Sequence, residues 1–138
     1  MPAHDIYHEH VKEALIKDGW TITHDPLRLN LPPDDLYVDL GAERLVGAEK
    51  GSQRIAVEIK SFVSKSKMSD LEQAMGQFFL YENALDELES DRVLYLAVRP
   101  NVFKSVFQQS LGRLFLKKRQ VRLLVFNPRK KEIEQWIT

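Results

Sequence analysis

The chain contains no cysteine, which excludes disulfides and thiolate chemistry and permits a reducing compartment. It contains no apolar run near the ~18 residues that a membrane-spanning helix needs. The first residues, Met1-Pro2-Ala3-His4-Asp5, lack the basic stretch followed by an apolar stretch that marks a secretory signal. These absences lead to the expectation of a soluble cytoplasmic protein without membrane association. Repeats, low-complexity tracts and an inter-domain linker are also missing. What is present is a globular balance: 138 residues, 43% hydrophobic and 29% charged, with a net charge of zero. That is enough chain to bury one core, and residues 1–138 are expected to form a single domain.

Charge of one sign is missing from two neighbouring segments. Between Ser69 and Asp91 there is no Lys or Arg, while Asp70, Glu72, Glu82, Asp86, Glu87, Glu89 and Asp91 are acidic. Between Arg92 and Lys131 there is no Asp or Glu, and the cations include the run Lys117-Lys118-Arg119. Such asymmetry suits a nucleic-acid surface or an acidic partner. The alternative is that the two segments pack together and neutralise each other.

The pattern of elements is mixed. Asp5 can cap a first helix that runs to about Lys17 and stops at Gly19, with Tyr7, Val11, Ala14 and Leu15 on one face. His4 and His8 are four apart on this stretch, but the His-Glu-x-x-His pattern of zinc proteases is absent. Trp20 to His24 and Leu27 to Leu31 read as strands. Leu36-Tyr37-Val38-Asp39-Leu40 reads as another, with Tyr37 and Asp39 on the face opposite the apolar residues. Asp is depleted in strands, so Asp39 needs an explanation. Gly41 allows a bend or bulge, and Leu45 to Glu49 is extended. Ser69 with Glu72 forms a capping box for a long helix to about Leu88. Gln73 and Gln77 lie beside its apolar stripe, and Gly76 within it is expected to mark a close contact. Val93 to Val98 is apolar throughout, as for a central strand buried on both faces. Asn101 can cap a further helix, which Gly112 breaks or kinks. Val121 to Phe126 is a strand, and Glu132 to Ile137 closes the chain as a strand or short helix. The order predicts an α/β or α+β domain with a mixed β-sheet between helices.

The stretch with chemical content is Gln53 to Phe62. Ile55, Val57 and Ile59 alternate with Ala56, Glu58 and Lys60, so Glu58 and Lys60 share one sheet face. A carboxylate and an ammonium side by side suit metal-assisted phosphodiester chemistry: the first can hold Mg²⁺, the second can steady a water nucleophile or a phosphate charge. The plainer reading is a solvated strand face with a local ion pair. A metal site needs a second carboxylate, and Asp39 is the candidate. Glu49 competes for that role. A tight hairpin at Lys50-Gly51-Ser52 would set Glu49 opposite Arg54, roughly 13 Å from Glu58. The same hairpin sets Leu45 opposite Glu58, so Asp39 reaches Glu58 only through an excursion between Gly41 and Glu49.

Several stretches together resemble the XisH family: Met1-Pro2-Ala3-His4-Asp5, Ala14-Leu15-Ile16-Lys17-Asp18-Gly19-Trp20, Tyr37-Val38-Asp39-Leu40-Gly41-Ala42-Glu43 and Ile55-Ala56-Val57-Glu58-Ile59-Lys60-Ser61-Phe62. Gly76-Gln77-Phe78 and Leu94-Tyr95-Leu96-Ala97-Val98 add to the likeness, which spans essentially the whole chain. XisH proteins are known as controlling factors for excision of the fdxN DNA element, where a site-specific recombinase removes an interrupting element and XisH acts with a companion, XisI. The family is placed in the restriction-endonuclease-like PD-(D/E)xK superfamily.

The resemblance implies a restriction-endonuclease-like fold with an αβββαβ-type core. It implies Asp39 and Glu58 as ligands of Mg²⁺, or of another divalent metal, with the Ile59 carbonyl as a further ligand. Lys60 would position water or stabilise the transition state. Glu13 on the first helix and Gln77, in Gln77-Phe78-Phe79-Leu80-Tyr81, are supporting candidates. One departure is plain: Leu36-Tyr37-Val38 stands where a Pro would precede the Asp. Three functions follow. The first is an accessory factor for excision of a DNA element, acting with an XisI-type partner and with DNA directly or through a recombinase complex, with Lys117, Lys118 and Arg119 as the contact surface. The second is a Mg²⁺-dependent DNA endonuclease. The third is a protein-binding module in which Asp39, Glu58 and Lys60 form a buried ion-pair cluster. A homo-oligomer is compatible with all three.

Overall fold

A computed structural model describes residues 4–47 and 51–138. Helix α1 (His8–Lys17) buries Val11, Ala14 and Leu15, and ends where Gly19 takes φ +93°. Asp5 does not cap it in the expected way. Its carboxylate accepts hydrogen bonds from the Tyr7 N–H (2.9 Å) and, far along the chain, from the Ser61 N–H (3.1 Å).

Five strands follow: β1 (Thr21–His24), β2 (Leu27–Leu31), β3 (Asp34–Val38), β4 (Leu40–Gly47) and β5 (Gly51–Ile59). After them come α2 (Lys67–Leu88), β6 (Arg92–Val98), α3 (Pro100–Val102), a π-helical turn (Phe103–Phe107), α4 (Ser110–Lys117), β7 (Leu123–Asn127) and β8 (Glu132–Ile137). The main sheet has six strands in the order β1-β4-β5-β6-β7-β8, and β2 and β3 form a separate hairpin. The β5-β6-β7 pairs are parallel and the remaining pairs antiparallel. This is the expected mixed α+β architecture. Without the β2-β3 hairpin, the order reads α1-β1-β4-β5-α2-β6, an αβββαβ core. Among the described residues no helix is long and apolar enough to cross a membrane.

Strand alternation sorts the core into two layers. Ile55, Val57 and Ile59 join Val11, Leu15, Leu40, Tyr95 and Ala97 on the α1 side. Ala56 joins Leu71, Phe78, Leu85, Leu94 and Leu96 on the α2 side, together with Leu27, Leu29 and Val38 of the hairpin. Strand β6 contributes to both layers, as its continuous apolar run predicts. Glu58 follows Ala56 by two residues and so faces α2.

Three local expectations are corrected. Helix α2 starts earlier than the Ser69-Glu72 box suggests, because the Ser66 hydroxyl accepts from the Ser69 N–H at 3.0 Å and occupies the cap. Pro100, with its fixed φ and missing N–H, takes the first helical position, so Asn101 is inside the helix and not its cap. Gly76 is exposed with open space where a Cβ would stand; the close contact is at Gly112, where a Cβ would collide with the Val106 carbonyl.

Candidate functional site

The site forms where two strands meet at a break. The expected strand Leu36–Leu40 is interrupted: β3 ends at Val38 and β4 begins at Leu40. Val38 is buried on the α2 side and Leu40 on the α1 side, so the chain passes from the hairpin into the main sheet at Asp39. A break leaves backbone groups without ladder partners. Here carboxylates supply them. Asp39 Oδ2 accepts from the Ile59 N–H at 2.8 Å, and Glu58 Oε1 accepts from the Asp39 N–H at 3.2 Å.

No excursion is needed to bring these groups together. Strand β4 pairs with β5 as Leu40↔Val57, Ala42↔Ile55, Glu43↔Arg54 and Leu45↔Ser52. Extending that register by one residue sets Asp39 against Glu58. The expected pairing of Leu45 with Glu58 is therefore wrong. Gly47 is set against Gly51, so the pairing is offset from that of a hairpin centred on Gly51. Glu49, the competing ligand, lies outside the described residues.

Asp39, Glu58, Lys60, Gln77 and Tyr81 line one cleft of about 230 Å³, with Asp5, Tyr37 and His4 at its walls. Burial, and then the neighbouring Asp39 charge, push the Glu58 carboxyl up to about 9. Asp39 is raised too, chiefly by burial, with Asp5 adding to the rise. Tyr81 is pushed up to about 12, first by burial and then by the nearby Glu58 and Asp39 carboxylates. Two carboxylates desolvated side by side cost free energy that a divalent cation relieves. An all-oxygen donor set in an open cleft fits Mg²⁺.

Lys60 does not pair with either carboxylate among the described residues. Its Nζ donates to Gln73 Oε1 at 2.8 Å, a helix residue four before Gln77. This argues against a closed ion-pair cluster and leaves the ammonium at the cleft. The segment carrying it is fixed from several sides. The Lys60 N–H donates to Ala97 O at 3.2 Å. Ser61 is gripped by Asp5 through its N–H and by Arg99 Nη2 through its carbonyl (2.7 Å). Phe62 turns the chain off β5 in the left-handed region (φ +54°), its ring buried edge-on to Phe107.

Two sets of candidates lie elsewhere. Glu13 is exposed and paired with Lys131 Nζ at 3.2 Å, outside the cleft. Asp5 supplies the carboxylate near the first helix instead. Sequence reasoning missed it because its partner Ser61 is 56 residues away. Lys117, Lys118 and Arg119 are exposed at the end of α4, also outside the cleft. Lys118 borders a separate, mainly apolar groove between α2 and α4, beside Leu71, Leu114 and Phe115. The two oppositely charged segments do meet in part, through Arg122–Glu82 (2.6 Å) and Arg92–Glu89 (3.1 Å). Among the described residues no ion pair occupies Lys117, Lys118 or Arg119.

Comparison with known proteins assigns the chain to a family. The profile of the family described as XisH protein matches residues 1–134. The chain belongs to the XisH family. Its structure is similar to that of an XisH family protein from Nostoc punctiforme PCC 73102, at 39% identity and a TM-score of 0.86, over 97% of this chain and 100% of the other. It is similar also to a fdxN element excision controlling factor protein from Anabaena variabilis, at 43% identity and a TM-score of 0.86, over 98% of this chain and 100% of the other. No curated protein matches the chain. The XisH match includes both strands of the cleft, and with them Asp39, Glu58 and Lys60.

Proposed function

We propose that this chain is an accessory factor that controls excision of a DNA element, acting with an XisI-type partner through a nuclease-like fold. The observation that carries this reading is the similarity, over nearly the whole chain, to the fdxN element excision controlling factor of Anabaena variabilis. The exposed cations Lys117, Lys118 and Arg119 supply a surface for DNA or for an acidic face of the partner. Co-expression with an XisI-type protein is expected to yield a complex that binds DNA in a salt-dependent way. Reversing all three charges should make the salt dependence shallower by about one counterion per residue. Unchanged binding of both DNA and the partner would contradict a role for this surface.

The carboxylate pair and Lys60 favour a second reading, a Mg²⁺-dependent DNA endonuclease of the PD-(D/E)xK type. Asp39 and Glu58 would hold the ion, and the bound ion would supply charge stabilisation at the scissile phosphate. Lys60, held by Gln73, would orient water or balance negative charge on the phosphate. Cleavage of DNA is then expected to require a divalent metal, and to disappear in Glu58→Gln and Lys60→Ala variants that remain folded. Wild-type inactivity on varied DNA, with and without an XisI-type partner, would sink this reading and leave the first intact.

A further inference from the structure

At the edge of the cleft is a second group of metal-binding side chains. A ring nitrogen of His4, a ring nitrogen of His8 and a carboxylate oxygen of Glu9 lie within 4.8 Å of one another. His8 is only 2% exposed. Its Nε2 is 2.7 Å from Asp25 Oδ1, and the other oxygen of Asp25 accepts from Lys12 Nζ at 2.8 Å. Asp25 is thus fixed as a carboxylate, placed to accept a hydrogen bond from Nε2–H. Nδ1 of His8, on the other side of the ring, is buried and without a hydrogen-bond partner among the described residues. An imidazole oriented by a carboxylate on one nitrogen, with the other free, is the arrangement metal-ligating histidines adopt.

We propose that His4, His8 and Glu9 bind a transition-metal ion of the zinc type, separate from Asp39 and Glu58. Two imidazoles and one carboxylate suit Zn²⁺ better than Mg²⁺, which prefers oxygen alone. Three protein ligands leave a fourth position for water. The His4 and His8 rings are stacked at 3.8 Å and 5°, so their lone pairs run parallel. Closing on one ion takes a rotation of His4, the exposed ring, while His8 stays fixed by Asp25. Because His4 also lines the cleft, the ion ties residues 4–7 to α1 and sets the wall that carries Asp5.

The test is calorimetric titration of the chelator-treated full chain with Zn²⁺, with Mg²⁺ in excess to fill the carboxylate cleft. Co²⁺ serves as a spectroscopic probe of nitrogen ligation. One ion per chain is expected. His4→Ala and Glu9→Gln, both at exposed positions, should each weaken binding by about tenfold or more, and Asp25→Asn by about tenfold through loss of His8 orientation. Glu58→Gln should bind Zn²⁺ as the wild type does. Absence of binding by the wild type would overturn the proposal. So would binding that survives His4→Ala and Glu9→Gln but is lost in Glu58→Gln, because the ion would then sit in the cleft.

Discussion

At the scale of single residues, the cleft stores unfavourable charge. Glu58 has its carboxyl raised from the ordinary 4.5 to about 9, by burial and by Asp39. A group raised in the folded state contributes stability that is fully present below its unfolded pKa and lost as pH rises through the folded one. For Glu58 the loss runs from about pH 4.5 to about pH 9. Glu58→Gln removes the titration yet keeps an oxygen for the Asp39 N–H. In chelator its advantage over wild type should grow by roughly 1 kcal/mol per pH unit across that window, with a difference that vanishes at its lower end. Urea denaturation across pH measures this; a variant less stable than wild type at high pH would contradict the desolvated pair. The residues of this pair were legible in the sequence, because an acid-x-Lys on one strand face and an Asp inside an apolar strand are both local patterns. Asp5 was not, because only the folded chain brings it to Ser61.

At the scale of elements, the periodic strands and helices were legible, and their junctions were not. Strands β2, β5, β6 and β8 and helix α2 stand close to where alternation and helical spacing put them. The β4-β5 register was misjudged because it depends on where the hairpin turns, and Lys50-Gly51-Ser52 is only one of the available turn signals. Both helix glycines were misread: Gly76, expected at a close contact, faces open space, and Gly112, expected to break or kink its helix, lies inside α4 against the Val106 carbonyl. Which glycine is crowded depends on what packs across from it, and the sequence of its own helix does not contain that. Their substitution separates the cases. Gly76→Ala adds a methyl into open space on α2 and should stabilise by about 0.5–1 kcal/mol. Gly112→Ala drives a methyl into the Val106 carbonyl and should destabilise by about 1–3 kcal/mol. Thermal denaturation of the two variants side by side checks both; equal and small effects would mean that α4 does not press on the π-helical turn.

At the scale of the whole molecule, the layers explain why one cleft collects the chemistry. The β2-β3 hairpin and α2 cover the same face of the sheet, and Glu58 and Asp39 emerge between them at the end of the β4-β5 pair. Among the cations from Arg92 to Lys131, two groups stand apart. Arg92 and Arg122 neutralise the acidic end of α2 and its following turn, whereas Lys117, Lys118 and Arg119 stay exposed. Charge asymmetry in the sequence foreshadowed both populations but not which residues fall in each, since that follows from the packing of β7 beside β6. A chain with a paired-carboxylate cleft and a separate basic surface suits the proposed factor that meets DNA as part of an assembly. The most direct measurement is the abundance of the excised DNA junction, quantified by amplification in cells from which this chain has been removed and then restored. Excision should fall to background without the chain and recover on its return. Junction abundance that stays unchanged through both steps would contradict a role in excision control.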